Sequence, residues 1–358
     1  MKRWRMAMAL MVAALALGSA CAEQTSETSQ NLQQFLKKFP NADANRDGVL
    51  TASEARAFRE RREQRLQERA EYEAGRPDPD HADLAYGPHE RNVLDLWIAE
   101  GDGPRPLAAY IHGGGWVGGD KSRISRDHLE ALLEAGISVA AINYRYSTQA
   151  PFPAPITDAG RAIQFLRLRA GDYDLDPERI GTWGGSAGAA TSMWLAFHDD
   201  LADPNADDPV LRESTRLTCI APFAGPAVLE PDMSEEVLGA PVTIHPAFLP
   251  FFGVEDLAEL ETPEKRREMA EASPINHLTA DDPPVWMGYS LPAERLGPDA
   301  TPGEVAHHPL HGVYLKEKMD ELGIEAVLVY PGHEEDPYGG HIGFFRAKLL
   351  GEAPAGQH

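Results

Sequence analysis

The sharpest chemical signal in the chain is the stretch Gly181-Thr182-Trp183-Gly184-Gly185-Ser186-Ala187-Gly188. It contains G-x-S-x-G, a pattern in which a strand turns abruptly into a helix and holds a serine hydroxyl exposed at the bend. Gly184 and Gly188 let strand and helix approach closely, while Gly185 and Ala187 keep bulk away from Ser186. Glycine-rich turns containing serine also arise by chance, so the weight of this one comes from what accompanies it.

Upstream lies Tyr110-Ile111-His112-Gly113-Gly114-Gly115-Trp116, glycines that follow an apolar run. Acyl transfer through a serine needs backbone N–H groups aimed at the oxygen of a tetrahedral intermediate, and glycines bring the main chain close without side chains intervening. Gly113 and Gly114, joined by the N–H of Ala187, are the expected oxyanion-hole donors, and His112 is read as a residue that shapes the loop.

Further segments accompany these two: Gly118-Gly119-Asp120-Lys121, Asn143-Tyr144-Arg145, Phe152-Pro153-Ala154-Pro155 and Asp158. Together they resemble the α/β-hydrolase superfamily, in particular carboxylesterases related to hormone-sensitive lipase and carbohydrate esterases of the feruloyl and acetyl esterase type. The match is good over residues 84–227 and weaker beyond. The resemblance implies ester hydrolysis by a serine, an acid and a histidine in that order, on small-molecule or polysaccharide esters, with no cofactor in the reaction. It places the histidine after the final strand, in 330–344, where His341 before Gly343-Phe344 is preferred to His333. The family's aspartate position falls on Ala293, so Glu294 is the nearest acid and Asp299 the next. Because that aspartate is missing, a hydrolase scaffold that binds carbohydrate or protein without turnover is the alternative. His307, His308 and His311 lack the spacing of a metal site and are read as a helix face.

The elements that must position these residues alternate. Strands are expected over 93–99, 107–112, 138–144, 179–183, 217–223, 284–288 and 324–330, with helices over 125–135, 156–166 and 187–197 between them. This alternation predicts a doubly wound, mostly parallel sheet with helices on both faces, whose site lies at the carboxyl ends of the strands. An irregular insertion over 228–282 is expected to cap the pocket, and the hydrolase domain spans 84–350.

A second centre precedes this domain. Asp43-Ala44-Asn45-Arg46-Asp47-Gly48-Val49-Leu50-Thr51-Ala52-Ser53-Glu54 satisfies D-x-[DN]-x-[DN]-G-x₅-E and resembles an EF-hand. Calcium takes several oxygens, here from Asp43, Asn45, Asp47, the Val49 carbonyl, Thr51 through water, and Glu54. The EF-hand-like segment with a following charged helix spans 30–75, and 76–83 is read as a linker.

The 358 residues carry a net charge of −23, which argues against nucleic acid or an anionic membrane as partner. Lys2, Arg3 and Arg5 before an apolar run over 6–17 have the layout of an export signal, removed near residue 22, and the run is too short to span a membrane. The mature chain is therefore expected to be periplasmic or secreted, with no membrane-spanning segment. Gly18-Ser19-Ala20-Cys21 loosely resembles a lipobox that would anchor the chain through Cys21. The one other cysteine, Cys219, lies in an apolar run, so no disulfide framework is expected.

Overall fold

A computed structural model describes residues 24–39, 42–44, 47–73, 75–240, 242–297 and 300–354. The leader, its cleavage site and Cys21 lie outside the described residues, as do Asn45 and Asp299. The chain divides into two units, Met1–Arg76 and Pro77–His358.

In the first unit, α1 (Gln30–Lys38) and α2 (Ala52–Glu73) flank the acidic loop. Leu32, Ala42, Leu50 and Ala55 form a small core, onto which Phe35, Phe39 and Phe58 pack with ring centroids 5.0–5.9 Å apart. Thr25 and Thr51 form an antiparallel bridge, and Ser26 pairs with Leu50 through N–H to carbonyl and N–H to hydroxyl contacts of 2.8 and 3.0 Å. The segment before α1 thus satisfies the backbone of the acidic loop.

In the second unit, eight strands form one sheet in the order β1-β2-β4-β3-β5-β6-β7-β8. They are β1 (His81–Ala85), β2 (Val93–Trp97), β3 (Arg105–Ile111), β4 (Ser138–Ile142), β5 (Leu175–Gly185), β6 (Cys219–Phe223), β7 (Val285–Gly288) and β8 (Ala326–Val329). β2 runs antiparallel to both β1 and β4, and every other pairing is parallel. The stretch read as linker therefore runs into an edge strand at His81. Its alternation is too polar to be read as a strand, because an edge strand buries only part of its surface.

Helices cover both faces: α3 (Arg126–Glu134), α4 (Ala154–Leu168), α5 (Ala187–Phe197), α6 (Pro231–Leu238), α7 (Phe248–Phe251), α8 (Pro263–Ala272), α9 (Pro302–Ala306), α10 (Leu310–Leu322) and α11 (His341–Leu350). Successive strand side chains point to opposite faces, and β3 shows the result. Leu107, Ala109 and Ile111 join the core with residues of α4, α5 and α10, whereas Ala108 joins the core with residues of α3 and α11. Burial on both faces explains why these strands are apolar without interruption. The 228–282 insertion is partly helical, containing α6, α7 and α8.

Candidate active site

Ser186 stands between β5 and α5 with φ 56° and ψ −122°, a left-handed conformation that is strained for a residue with a side chain. The neighbours leave no alternative. A Cβ at Gly184 or Gly188 would lie 2.1 or 2.0 Å from the Ile111 carbonyl oxygen, so strand β3 touches both sides of the bend. The Ser186 N–H donates to the Phe223 carbonyl at 2.9 Å, and the Ser186 carbonyl accepts the first helical bond, from Ala190 at 3.0 Å. The hydroxyl is thereby held above the carboxyl ends of the central strands.

The loop after β3 is fixed by its polar side chains. His112 Nδ1 donates to the Gly113 carbonyl at 2.9 Å, the Tyr144 hydroxyl donates to the His112 carbonyl at 2.8 Å, and the two rings stack at 4.2 Å. Burial lowers the His112 pKa to about 4, so the ring is neutral and acts as scaffold. Gly114 and Gly115 take φ of 121° and 61°, which glycine alone adopts freely. Among the described residues, the N–H groups of Gly113, Gly114 and Ala187 donate to no backbone carbonyl. Gly114, Gly115 and Ala187 line the cleft with Ser186, whereas Gly113 packs on the elbow, where an added Cβ would meet the Gly185 carbonyl oxygen at 2.5 Å.

The histidine that reaches the serine is His307, with Nε2 2.8 Å from Ser186 Oγ. It caps α9, in the connection between β7 and α10, and burial together with the neighbouring His245 lowers its pKa. His341, the residue expected from the sequence, is elsewhere. It opens α11 with its ring among His128, Phe223 and Trp286, at centroid distances of 4.3, 4.9 and 5.8 Å. Its Nε2 is buried without a hydrogen-bond partner and burial pushes its pKa down to about 3, so it is a neutral core residue. His333 stacks on Tyr330 at 5.1 Å. Glu294 is exposed and contributes its backbone carbonyl, which accepts from His308 Nε2 at 2.8 Å. Among the described residues no carboxylate hydrogen-bonds the His307 ring.

The helix-face reading of the three histidines is thus corrected for His307. His308 and His311 are buried, and His311 Nε2 donates to the Val305 carbonyl at 3.2 Å. His307 lies beyond α9 in the connection that follows β7, whereas the resemblance places the histidine after the next strand.

A cleft of about 350 Å³ opens over Ser186, walled on the far side by His245, Ala247 and Phe248 of the insertion and by Ala306 and His307. His245 Nδ1 accepts from the Ala247 N–H at 3.1 Å, which leaves the proton on Nε2. A narrower apolar recess of about 40 Å³, lined among others by Val228, Ile244 and Val305, shares Pro226, His245, Phe248 and Ala306 with the cleft. Behind the loop, Arg145 grips the buried Asp158 through Nε and Nη2, each at 2.8 Å, while the Arg145 N–H adds a third contact at 3.0 Å.

In the first unit, Gly48 (φ 82°) donates its N–H to Asp43 Oδ2 at 2.8 Å, and Val49 N–H donates to Asp47 Oδ1 at 2.8 Å. Asp43 is buried and its Oδ1 has no hydrogen-bond partner. Glu54 Oε2 accepts from the Thr51 N–H and hydroxyl at 2.9 and 2.7 Å. The loop therefore offers a hard cation one buried carboxylate oxygen without a protein partner, Asp43 Oδ1.

A mostly parallel eight-stranded sheet, a strained serine between strand and helix, and a glycine loop facing it define an α/β-hydrolase fold. The chain belongs to the BD-FAE family, whose model matches residues 94–289. It is 30% identical over 209 residues, 57% of this chain and 46% of the relative, to a "probable carboxylic ester hydrolase" of Mycobacterium tuberculosis. It is 31% identical over 143 residues, 40% of this chain and 30% of the relative, to a "probable isoprenylcysteine alpha-carbonyl methylesterase" of Arabidopsis thaliana. The chain thus spans less than half the length of these curated relatives. Among solved structures it matches a truncated carbohydrate esterase from gut microbiota with TM-score 0.59, 22% identity and coverage of 75% of this chain and 96% of the other. It also matches a propionate-bound esterase of the Planctomycetes species Thermogutta terrifontis with TM-score 0.51, 21% identity and coverage of 71% and 84%. These two likenesses concern the fold. No helix among the described residues is long and apolar enough to cross a membrane.

Proposed function

We propose that the protein is an exported, serine-dependent carboxylic ester hydrolase acting on short acyl esters, including those carried by carbohydrates. The observation that carries this reading is the 2.8 Å contact between His307 Nε2 and Ser186 Oγ beneath a cleft. A serine hydroxyl is a weak nucleophile until a neutral imidazole takes its proton, and burial keeps His307 neutral at physiological pH.

As Ser186 Oγ attacks the ester carbonyl, its proton passes to His307 Nε2. Negative charge develops on the carbonyl oxygen, opposite the N–H groups of Gly114 and Ala187, with Gly113 completing the loop. Collapse breaks the bond to the alcohol, which leaves with the proton from His307, and the acyl group stays on Ser186. Water then attacks the acyl-enzyme, His307 accepts its proton and returns it to Ser186, and the acid departs. No metal or organic cofactor enters these steps.

The recess beyond Phe248 favours short, apolar acyl chains. The names of the curated relatives support ester hydrolysis as the reaction class. The acidic loop at 43–54 would hold one calcium ion through Asp43, Asn45, Asp47, the Val49 carbonyl and Glu54, as a structural element apart from the chemistry.

The test uses the purified chain, a series of nitrophenyl esters from acetate to octanoate, and a fluorophosphonate that labels activated serines. Hydrolysis fastest on the shortest chains and mass-spectrometric labelling at Ser186 are expected. Esterase activity undiminished in Ser186→Ala, or a chain that neither hydrolyses nor becomes labelled, removes the proposal.

A further inference from the structure

Outside the catalytic cleft, His198, Glu271 and His277 come together from three elements: the C-terminal cap of α5, the last turn of α8, and the 3₁₀ turn Pro274–His277. One ring nitrogen from each histidine and one Glu271 carboxylate oxygen all lie within 4.8 Å of one another. Backbone carbonyls fix the ring protons. His198 Nδ1 lies 2.8 Å from the Asp199 carbonyl and His277 Nε2 lies 2.7 Å from the Glu271 carbonyl; a carbonyl only accepts, so both nitrogens donate. The lone pairs then fall on His198 Nε2 and His277 Nδ1.

This leaves an electrostatic conflict. His198 Nε2 sits 3.2 Å from Glu271 Oε1, and a lone pair facing a carboxylate oxygen at that distance requires a cation between them, either a proton or a metal ion. A proton would satisfy the His198–Glu271 pair alone. It leaves the second imidazole, 4.7 Å from the first centroid to centroid, outside that pair. The rest of the arrangement resembles the support of a metal site, in which each ligating histidine donates its other N–H to a carbonyl. Trp194 completes that support by stacking on His198 at 4.0 Å and donating its indole N–H to the Glu271 carbonyl at 2.8 Å.

We propose that His198, Glu271 and His277 bind a late first-row divalent metal ion, with zinc as the ion that two imidazoles and a carboxylate suit. Two nitrogens and one oxygen make a three-ligand set that water completes to a tetrahedron, and the exposed Glu271 leaves room for that water. Contraction from the present separations to zinc–ligand bonds of about 2.0–2.2 Å needs only side-chain rotation and small shifts. The ion would tie the far end of α5, the helix that begins beside Ser186, to α8 of the insertion that walls the cleft. Its role is to clamp the insertion; it touches no reacting atom.

The experiment is calorimetric titration of zinc into the full chain after chelation and desalting, with saturating calcium to occupy the acidic loop. A zinc site with one-to-one stoichiometry is expected, weakened about tenfold or more in Glu271→Gln and lost in His198→Ala and His277→Ala. Zinc should raise the melting temperature of the wild type, raise that of Glu271→Gln less, and leave that of the two histidine variants unchanged. Glu271→Gln preserves shape, so it decides the matter if a histidine variant fails to fold. No zinc binding to the wild type, or equal binding by wild type and Glu271→Gln, overturns the proposal. Ser186→Ala must bind zinc like the wild type, which separates this site from the hydrolase reading.

Discussion

His307 Nε2 faces Ser186 Oγ at 2.8 Å although 121 positions separate the two residues, and His307 precedes the last strand of the sheet instead of following it. In the proposed mechanism the base therefore comes from the connection after β7. His307→Ala should lower kcat/KM by about 10³-fold or more, as removal of a base acting as a unit with its serine does. His341→Phe should leave kcat/KM within about threefold, because aromatic neighbours surround that ring. Ester hydrolysis by the two variants, measured side by side, checks the assignment; the reverse pattern would return the base to His341.

The pH profile follows from the environment of His307. Burial and His245 lower its pKa below the ordinary histidine value of 6.5, and only the neutral ring accepts the serine proton. The rate kcat/KM should therefore rise with pH along an acid limb whose midpoint lies below 6.5. A midpoint above that value in a stopped pH series contradicts the burial argument.

Stability should also depend on pH through the buried neutral histidines. Folded His112, His311 and His341 titrate at about 4, 4 and 3, against 6.5 for an ordinary histidine. As pH falls from 6.5 towards 4, the unfolded chain binds protons that the folded chain does not, so stability falls across that window. Thermal melts over this range should show the decline, and His341→Phe should make it shallower.

The elbow tolerates no added atoms on its β3 side. Gly188→Ala would place a methyl group 2.0 Å from the Ile111 carbonyl oxygen, and the shift this forces should cost about 3 kcal/mol or more. Denaturant unfolding measures the cost, and fluorophosphonate labelling of whatever folds should be lost.

Asp158 holds Arg145 by a paired contact while almost fully buried. Asp158→Ala strands a guanidinium beside the cleft-forming loops and should destabilise the fold by about 3 kcal/mol, readable as a lowered denaturation midpoint with unchanged slope.

The acidic loop makes a separate prediction. Calcium should bind the wild type and protect it in thermal melts, and Asp43→Ala should abolish the effect because Asp43 Oδ1 is the oxygen left without a protein partner. Calorimetry that shows no calcium binding by the wild type contradicts the reading of this loop.

Local sequence determined the bend at Ser186. Strand, glycines and small residues around Ser186 specify a strained bend that few other conformations satisfy, and the apolar strands over 107–111 and 138–142 specify a sheet buried on both faces. The acidic loop also stands out as a local pattern, since its candidate ligands fall within twelve consecutive residues. The histidine that meets Ser186 and its surroundings were not legible in this way. His307, His333 and His341 all lie in segments that follow a strand of the sheet, and nothing local in the sequence says which ring meets a serine more than a hundred residues away. Tertiary packing made the choice: the rings of Phe223 and Trp286 hold His341 within the core, while α9 ends so that His307 falls on the open face of the elbow. The meeting of His198, Glu271 and His277 was decided the same way, by the docking of the insertion on the far end of α5, because a contact among three separate elements has no signature in any one of them.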